Sequence, residues 1–167
     1  MSSVIYGGKL NLKMNADNLS STYSGYFSTA MNAWNTSGAH VKMTSEPFVT
    51  SLVDLRSYTS SQWDANGWGT KTFAWTQPFK TDAVPCSTNF TYNNCGTGDI
   101  IKYVAIHFNE GYLPSGSAKK LANVKHEMGH SIGLGHAIYM SGTIMGSELD
   151  LGYDITTFDV NQVNSLY

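Results

Sequence analysis

Hydrophobic and polar positions alternate at two periods along this chain, and each change of period marks a new element. Leu10, Leu12 and Met14 alternate with Asn11 and Lys13, the two-residue period of a half-buried strand. Ser20-Ser21 then offers a helix N-cap. Tyr23, Phe27, Met31 and Trp34 recur at helical spacing until Ser37-Gly38 closes the segment. Such an aromatic stripe is the face by which a helix packs on a sheet. Short strands are predicted around Val41–Met43, Leu52–Tyr58 and Lys71–Thr76, with Asn66-Gly67 as a turn between the last two. Trp63, Trp68, Phe73 and Trp75 read as packing residues. From Gln77 to Gly98, with Pro78 and Pro85, the chain reads as loop.

Ile100 to Asn109 has the strongest strand pattern. Val104, Ile106 and Phe108 share one face, and Tyr103, Ala105 and His107 the other. Gly111 to Gly116 reads as a turn. A helix is predicted from Ser117, with Ala118, Leu121, Ala122 and Val124 leading into His126. Thr156 and Asp159 fit a capping pattern at the start of a last helix, whose buried stripe is Val160, Val163 and Leu166. This order predicts a single α+β domain over residues 1–167. Its twisted sheet, mostly antiparallel or mixed, has about five strands, with one helix in the N-terminal half, one through His126 and one at the C-terminal end.

Composition narrows the class without naming a chemistry. The 167 residues suffice for one domain with a real core. Charged residues are only 13% against 41% hydrophobic, which excludes a disordered chain. The net charge of −2 and the lack of a basic patch argue against a nucleic-acid partner. No apolar run approaches the roughly 20 residues of a membrane span. Cys86 and Cys95 lie in a polar stretch and read as a loop disulfide, with metal binding as the other reading. A bridge implies an oxidising compartment, so a secreted protein is expected. Met1-Ser2-Ser3 shows no charged and apolar signal peptide. Asn18, Asn35 and Asn89 begin N-x-Ser/Thr sequons.

The chemistry is concentrated in His126-Glu127-Met128-Gly129-His130-Ser131-Ile132-Gly133-Leu134-Gly135-His136. It has the form H-E-x-x-H-x-x-G-x-x-H. Five such positions coincide by chance on the order of once in 10^7 to 10^8 starts. His126 and His130 are four residues apart, so on a helix both rings reach one ion. A straight helix carries position 136 to another face. Gly133 tolerates positive φ, can end the helix and can return His136 as third ligand. Three protein ligands leave a fourth position open, as in a catalytic zinc site. Zinc lowers the pKa of bound water from 15.7 to roughly 7, and Glu127 is placed to take its proton. His40 and His107 read as ordinary satisfied histidines.

These residues resemble the metzincin clan of zinc endopeptidases, and within it a compact, bacterial form of the matrixins. Thr143-Ile144-Met145-Gly146 is similar to the clan's methionine turn, which makes Met145 its methionine. Val104–Asn109 is similar to the matrixin strand ahead of the active-site helix. Asp159 matches an aspartate that supports the turn. The resemblance implies a zincin-like fold, one catalytic zinc, and hydrolysis of protein or peptide substrates bound in extended form by a monomer. The edge strand would be Lys71–Thr76 and the wall of the main specificity pocket Gly146–Tyr153. There are departures: Ala137 stands where matrixins usually carry serine, no cysteine-switch motif is present, and Ser147 occupies the place of a zinc-binding tyrosine, a role Tyr153 does not inherit. Calcium or a second zinc finds no convincing ligand set. Two rival readings remain open: a zinc-binding recognition module without turnover, and a hydrolase of a non-peptide amide.

Overall fold

The computed structural model describes residues 4–5, 11–69, 71–81, 84–88, 91–92, 100–137, 139–146 and 152–167. The strands are β1 (Val4–Ile5), β2 (Leu12–Asn18), β3 (Met43–Ser45), β4 (Val53–Tyr58), β5 (Ala74–Thr81), β6 (Val84–Pro85), β7 (Ser87–Thr88), β8 (Thr91–Tyr92), β9 (Ile100–Ile101) and β10 (Tyr103–Asn109). The helices are α1 (Ser21–Thr36), α2 (Ser60–Ala65), α3 (Ser117–Ser131) and α4 (Thr157–Leu166). The main sheet has six strands in the order β3-β2-β4-β10-β5-β6. Pairings from β3 to β10 are parallel, whereas β10–β5 and β5–β6 are antiparallel. The fold is therefore α+β with a mixed sheet, as the pattern predicts, with six main strands against the expected five.

The predicted helices form for the reasons their sequences suggest. Ser20 caps α1 by accepting from Thr22 N, and Tyr23, Phe27 and Trp34 are buried. Thr156 and Asp159 make a reciprocal capping box at the start of α4. Helices α1 and α3 pack against one another, over a sheet face that includes Leu55, Val104, Ile106 and Phe108. Tyr23 meets Phe108 with ring centroids 4.5 Å apart. Trp34 is fully buried and its indole N–H donates to the Lys125 carbonyl at 2.9 Å, which ties α1 to the centre of α3.

Other expectations are corrected. The Gln77–Gly98 loop is overturned at its start, because β5 runs from Ala74 through Pro78 to Thr81. Phe79 turns its carbonyl toward β10, accepting from Lys102 N, while the Pro78 carbonyl faces the other way and accepts from Cys86 N. Pro78 thus has its missing N–H on the side away from β10, where a strand tolerates proline. Three two-residue strands follow it. Helix α2 was not anticipated, although Thr59 and Gln62 form a full capping box and Trp63 is buried beneath it. The first short strand begins at Met43 rather than Val41. The Ile100–Asn109 strand is divided at Lys102, where β9 leaves to pair with β1. Leu10 lies outside the described residues.

Both faces of β10 are covered, a consequence of its central position. On the face away from α1 and α3, His107 is only 6% exposed. Tyr58, Trp68 and Trp75 surround its ring at centroid distances of 5.3, 4.5 and 5.6 Å. Phe73 instead stacks on Tyr112 at 4.8 Å. His40 is exposed, as expected of a surface histidine.

Candidate metal centre

Helix α3 presents His126 and His130 one turn apart. The helix ends as the glycine predicts. Gly133 has φ +92°, Gly133 N donates to the His130 carbonyl at 3.0 Å, and Leu134 N donates to the Gly129 carbonyl at 3.1 Å. This pair of bonds is a Schellman cap. The chain then reverses and brings His136 back. Ala137 N donates to the Met145 carbonyl at 2.7 Å, which holds the His136 segment against the Thr143–Gly146 turn.

The three Nε2 atoms converge. His136 Nε2 lies 3.2 Å from His126 Nε2 and 3.1 Å from His130 Nε2. Among the described residues, these histidines form the one group of three or more His, Cys, Asp or Glu side chains able to hold a metal ion. The other ring nitrogens fix the tautomers of His126 and His130. His126 Nδ1 donates to the Ile144 carbonyl at 2.7 Å, and His130 Nδ1 donates to the Leu134 carbonyl at 2.8 Å. A carbonyl only accepts, so each Nδ1 carries the proton and each Nε2 keeps its lone pair. Burial holds the His126 pKa down at about 4, against the smaller opposing pull of the Ile144 carbonyl. Burial also places His130 well below the usual histidine range, helped by its two histidine neighbours, and lowers His136. The rings are neutral near pH 7, the state that ligates metals.

The donor set fits a cation. The Nε2 lone pairs of His126 and His130 both face His136 Nε2, so one ion can take all three nitrogens. Zinc at about 2.0–2.1 Å from tetrahedral nitrogens would space those nitrogens roughly 3.3–3.4 Å apart, close to the distances here. Three imidazoles suit zinc, though several first-row metals share that preference.

Glu127 is 5% exposed, and the Thr76 hydroxyl on β5 donates to its Oε2 at 2.5 Å. Met145 is 2% exposed and packs against Gly129. Asp159 is fully buried at the start of α4. It accepts from Ile144 N and Met145 N, both at 3.3 Å, and from Thr156 N at 2.8 Å. A continuous line of bonds therefore runs from Asp159 through Ile144 to the His126 ring. The motif does not announce Thr76, whose partner is 51 residues away, nor the carbonyls of Ile144 and Leu134. Lys125 had a visible signal, a lone charge between Val124 and His126. It is 5% exposed and donates to the Tyr153 carbonyl at 2.9 Å and to Asp154 Oδ1 at 2.8 Å.

His107 does not join the centre: its ring nitrogens lie 3.2 Å from the Tyr58 hydroxyl and 3.4 Å from Gln77 Oε1. Cys86 is fully buried, and no free cysteine occurs among the described residues. Cys95 lies outside them, as does the 147–151 part of the expected pocket wall. No helix among the described residues is long and apolar enough to cross a membrane. No protein-family model matches the chain, and no curated protein matches it.

Proposed function

We propose that the chain is a secreted, zinc-dependent endopeptidase of the metzincin type, with a matrixin-like catalytic domain. The observation that carries this reading is the convergence of three neutral imidazoles, with Glu127 next to the first of them in the helix and held by Thr76. His126, His130 and His136 would hold the ion. Bound zinc would supply Lewis acidity toward a carbonyl oxygen and would acidify water to a pKa of roughly 7. Glu127 takes the proton of the attacking water and returns it to the departing amine. Gly133 shapes the return of His136, while Met145 and Asp159 support the turn whose carbonyl orients His126. A peptide would bind extended beside β5, by strand addition. A Cys86–Cys95 bridge belongs to the same reading and suits an oxidising compartment.

The test is a casein or peptide-library digest with the metal-loaded protein, with chelator, and with Glu127→Ala. Cleavage by the loaded wild type alone is expected. Cleavage that survives both treatments would overturn the mechanism. One bound zinc per chain with no cleavage of any protein would favour a recognition module. Turnover of small amides alone would favour a non-peptide hydrolase.

A further inference from the structure

We infer that Thr76 is a positioning residue for Glu127, so that the sheet as well as the helix sets the direction of the proposed base. This inference rests on the endopeptidase reading. Thr76 lies in β5, directly opposite Ile106 of β10 in the antiparallel register. Its side chain is on the helix side of the sheet, is 2% exposed, and donates to Glu127 Oε2 at 2.5 Å. The same hydroxyl lies 3.2 Å from the Glu127 backbone carbonyl. One strand side chain thus touches both the carboxylate and the main chain of a single helical residue.

The chemistry gives this contact a purpose. A glutamate side chain has three rotatable bonds, so its carboxylate takes its direction from what it meets. A hydroxyl bond to Oε2 restrains the orientation of the group and hence the direction of Oε1. Threonine suits the task, because its branched Cβ restricts χ1 and the oxygen is held in place. A carboxylate buried to this degree also needs hydrogen bonds to offset lost hydration. Catalytic groups lose rate steeply when their supporting contacts loosen, by as much as about 100-fold for displacements near 1 Å. The bond acts on orientation and not on peptide or metal affinity, so its effect belongs in kcat.

The experiment compares Thr76→Val, which keeps shape and strand preference but removes the hydroxyl, with Thr76→Ser, which keeps the hydroxyl. Zinc content, kcat and KM are measured on one peptide. Thr76→Val is expected to retain one zinc and its KM within about twofold while kcat falls about 10- to 100-fold, and Thr76→Ser to recover most of the loss. In metal-free protein, Thr76→Val is expected to lower the urea midpoint more when Glu127 is present than in Glu127→Ala, where the hydroxyl keeps only the backbone carbonyl of residue 127. Unchanged kcat in Thr76→Val, a change confined to KM, or equal midpoint shifts in both backgrounds would overturn the inference. If Thr76→Val does not fold, Thr76→Ala takes its place in both comparisons. Absence of hydrolysis by the wild type would instead overturn the endopeptidase reading, while the metal-free coupling would still report on the Thr76–Glu127 bond.

Discussion

Gly129 lies against Met145: a Cβ at position 129 would fall 2.3 Å from Met145 Sδ and 3.1 Å from Trp34 Cζ2. The unspecified fourth residue of the zinc motif therefore has a steric requirement of its own. The sulfur belongs to the turn that orients His126, and the indole to the helix that anchors α3. Gly129→Ala gains at most about 1 kcal/mol of helix propensity, against about 1–3 kcal/mol of overpacking. Urea denaturation is expected to show net destabilisation. Adding Met145→Ala should relieve part of it, so that the double variant is more stable than the two single losses predict. Strict additivity would mean that the two side chains do not meet.

Metal removal should change stability as well as any activity. The three Nε2 atoms converge, so an ion bound between them would tie α3 to the His136 segment. At a free zinc concentration 100 times the dissociation constant, linkage gives about 2.7 kcal/mol. Calorimetry is expected to show a melting temperature that rises with zinc and falls back with chelator. His130→Ala should abolish the rise. An equal rise in that variant would place the binding elsewhere.

Lys125 holds two partners of unequal worth. The Tyr153 carbonyl needs a donor, whereas Asp154 is 85% exposed and gains little from an ion pair in water. Lys125→Met is expected to cost about 1–3 kcal/mol, because it removes charge-assisted hydrogen bonds from a part-buried contact. Asp154→Ala should cost under about 1 kcal/mol. The comparison is made by denaturant midpoint, and equal losses would refute the ranking. Tyr153 is the last residue of the expected pocket wall, so the same lysine variant should also alter the ranking of substrates in a peptide-library digest.

His107 predicts the response to acid. Burial, and then the Arg56 charge on the neighbouring strand, lower its pKa from 6.5 to about 3. Tyr58, Trp68, Trp75 and Gln77 complete its surroundings without adding an opposite charge. The folded pKa lies below the unfolded one, so this contribution is fully present above pH 6.5 and is lost as pH falls toward 3. The unfolded chain binds the proton over that window and the folded chain does not. The slope is about 1.4 kcal/mol per pH unit. The His107→Phe variant should lack this component, and the difference between its stability curve and that of the wild type should be flat above pH 6.5. A difference curve without slope between pH 6 and 4 would remove His107 from the account.

Local pattern made much of the molecule legible. The stripe Tyr23, Phe27 and Trp34, the Ser20 cap and the Thr156–Asp159 box each depend on contacts within a few residues, and each appears in the structure. The Pro78 strand was hidden, because a proline reads as a break until one knows which edge its nitrogen faces. Helix α2 had a readable box in Thr59 and Gln62, but at six residues it offers too short a period to stand out.

For the centre itself, the eleven residues from His126 to His136 determine the donor types, their helical spacing and the glycine that turns the third ring back. These are properties of a continuous stretch of backbone, and Gly133 takes the positive φ that the spacing requires. Tertiary structure alone decides which nitrogen of His126 faces the site, because Ile144 arrives from 18 residues away. It also decides that Thr76 holds Glu127 across 51 residues and that Met145 lies against Gly129. Hydrogen bonds and close packing between distant segments depend on how the chain is brought back upon itself. No local periodicity encodes them.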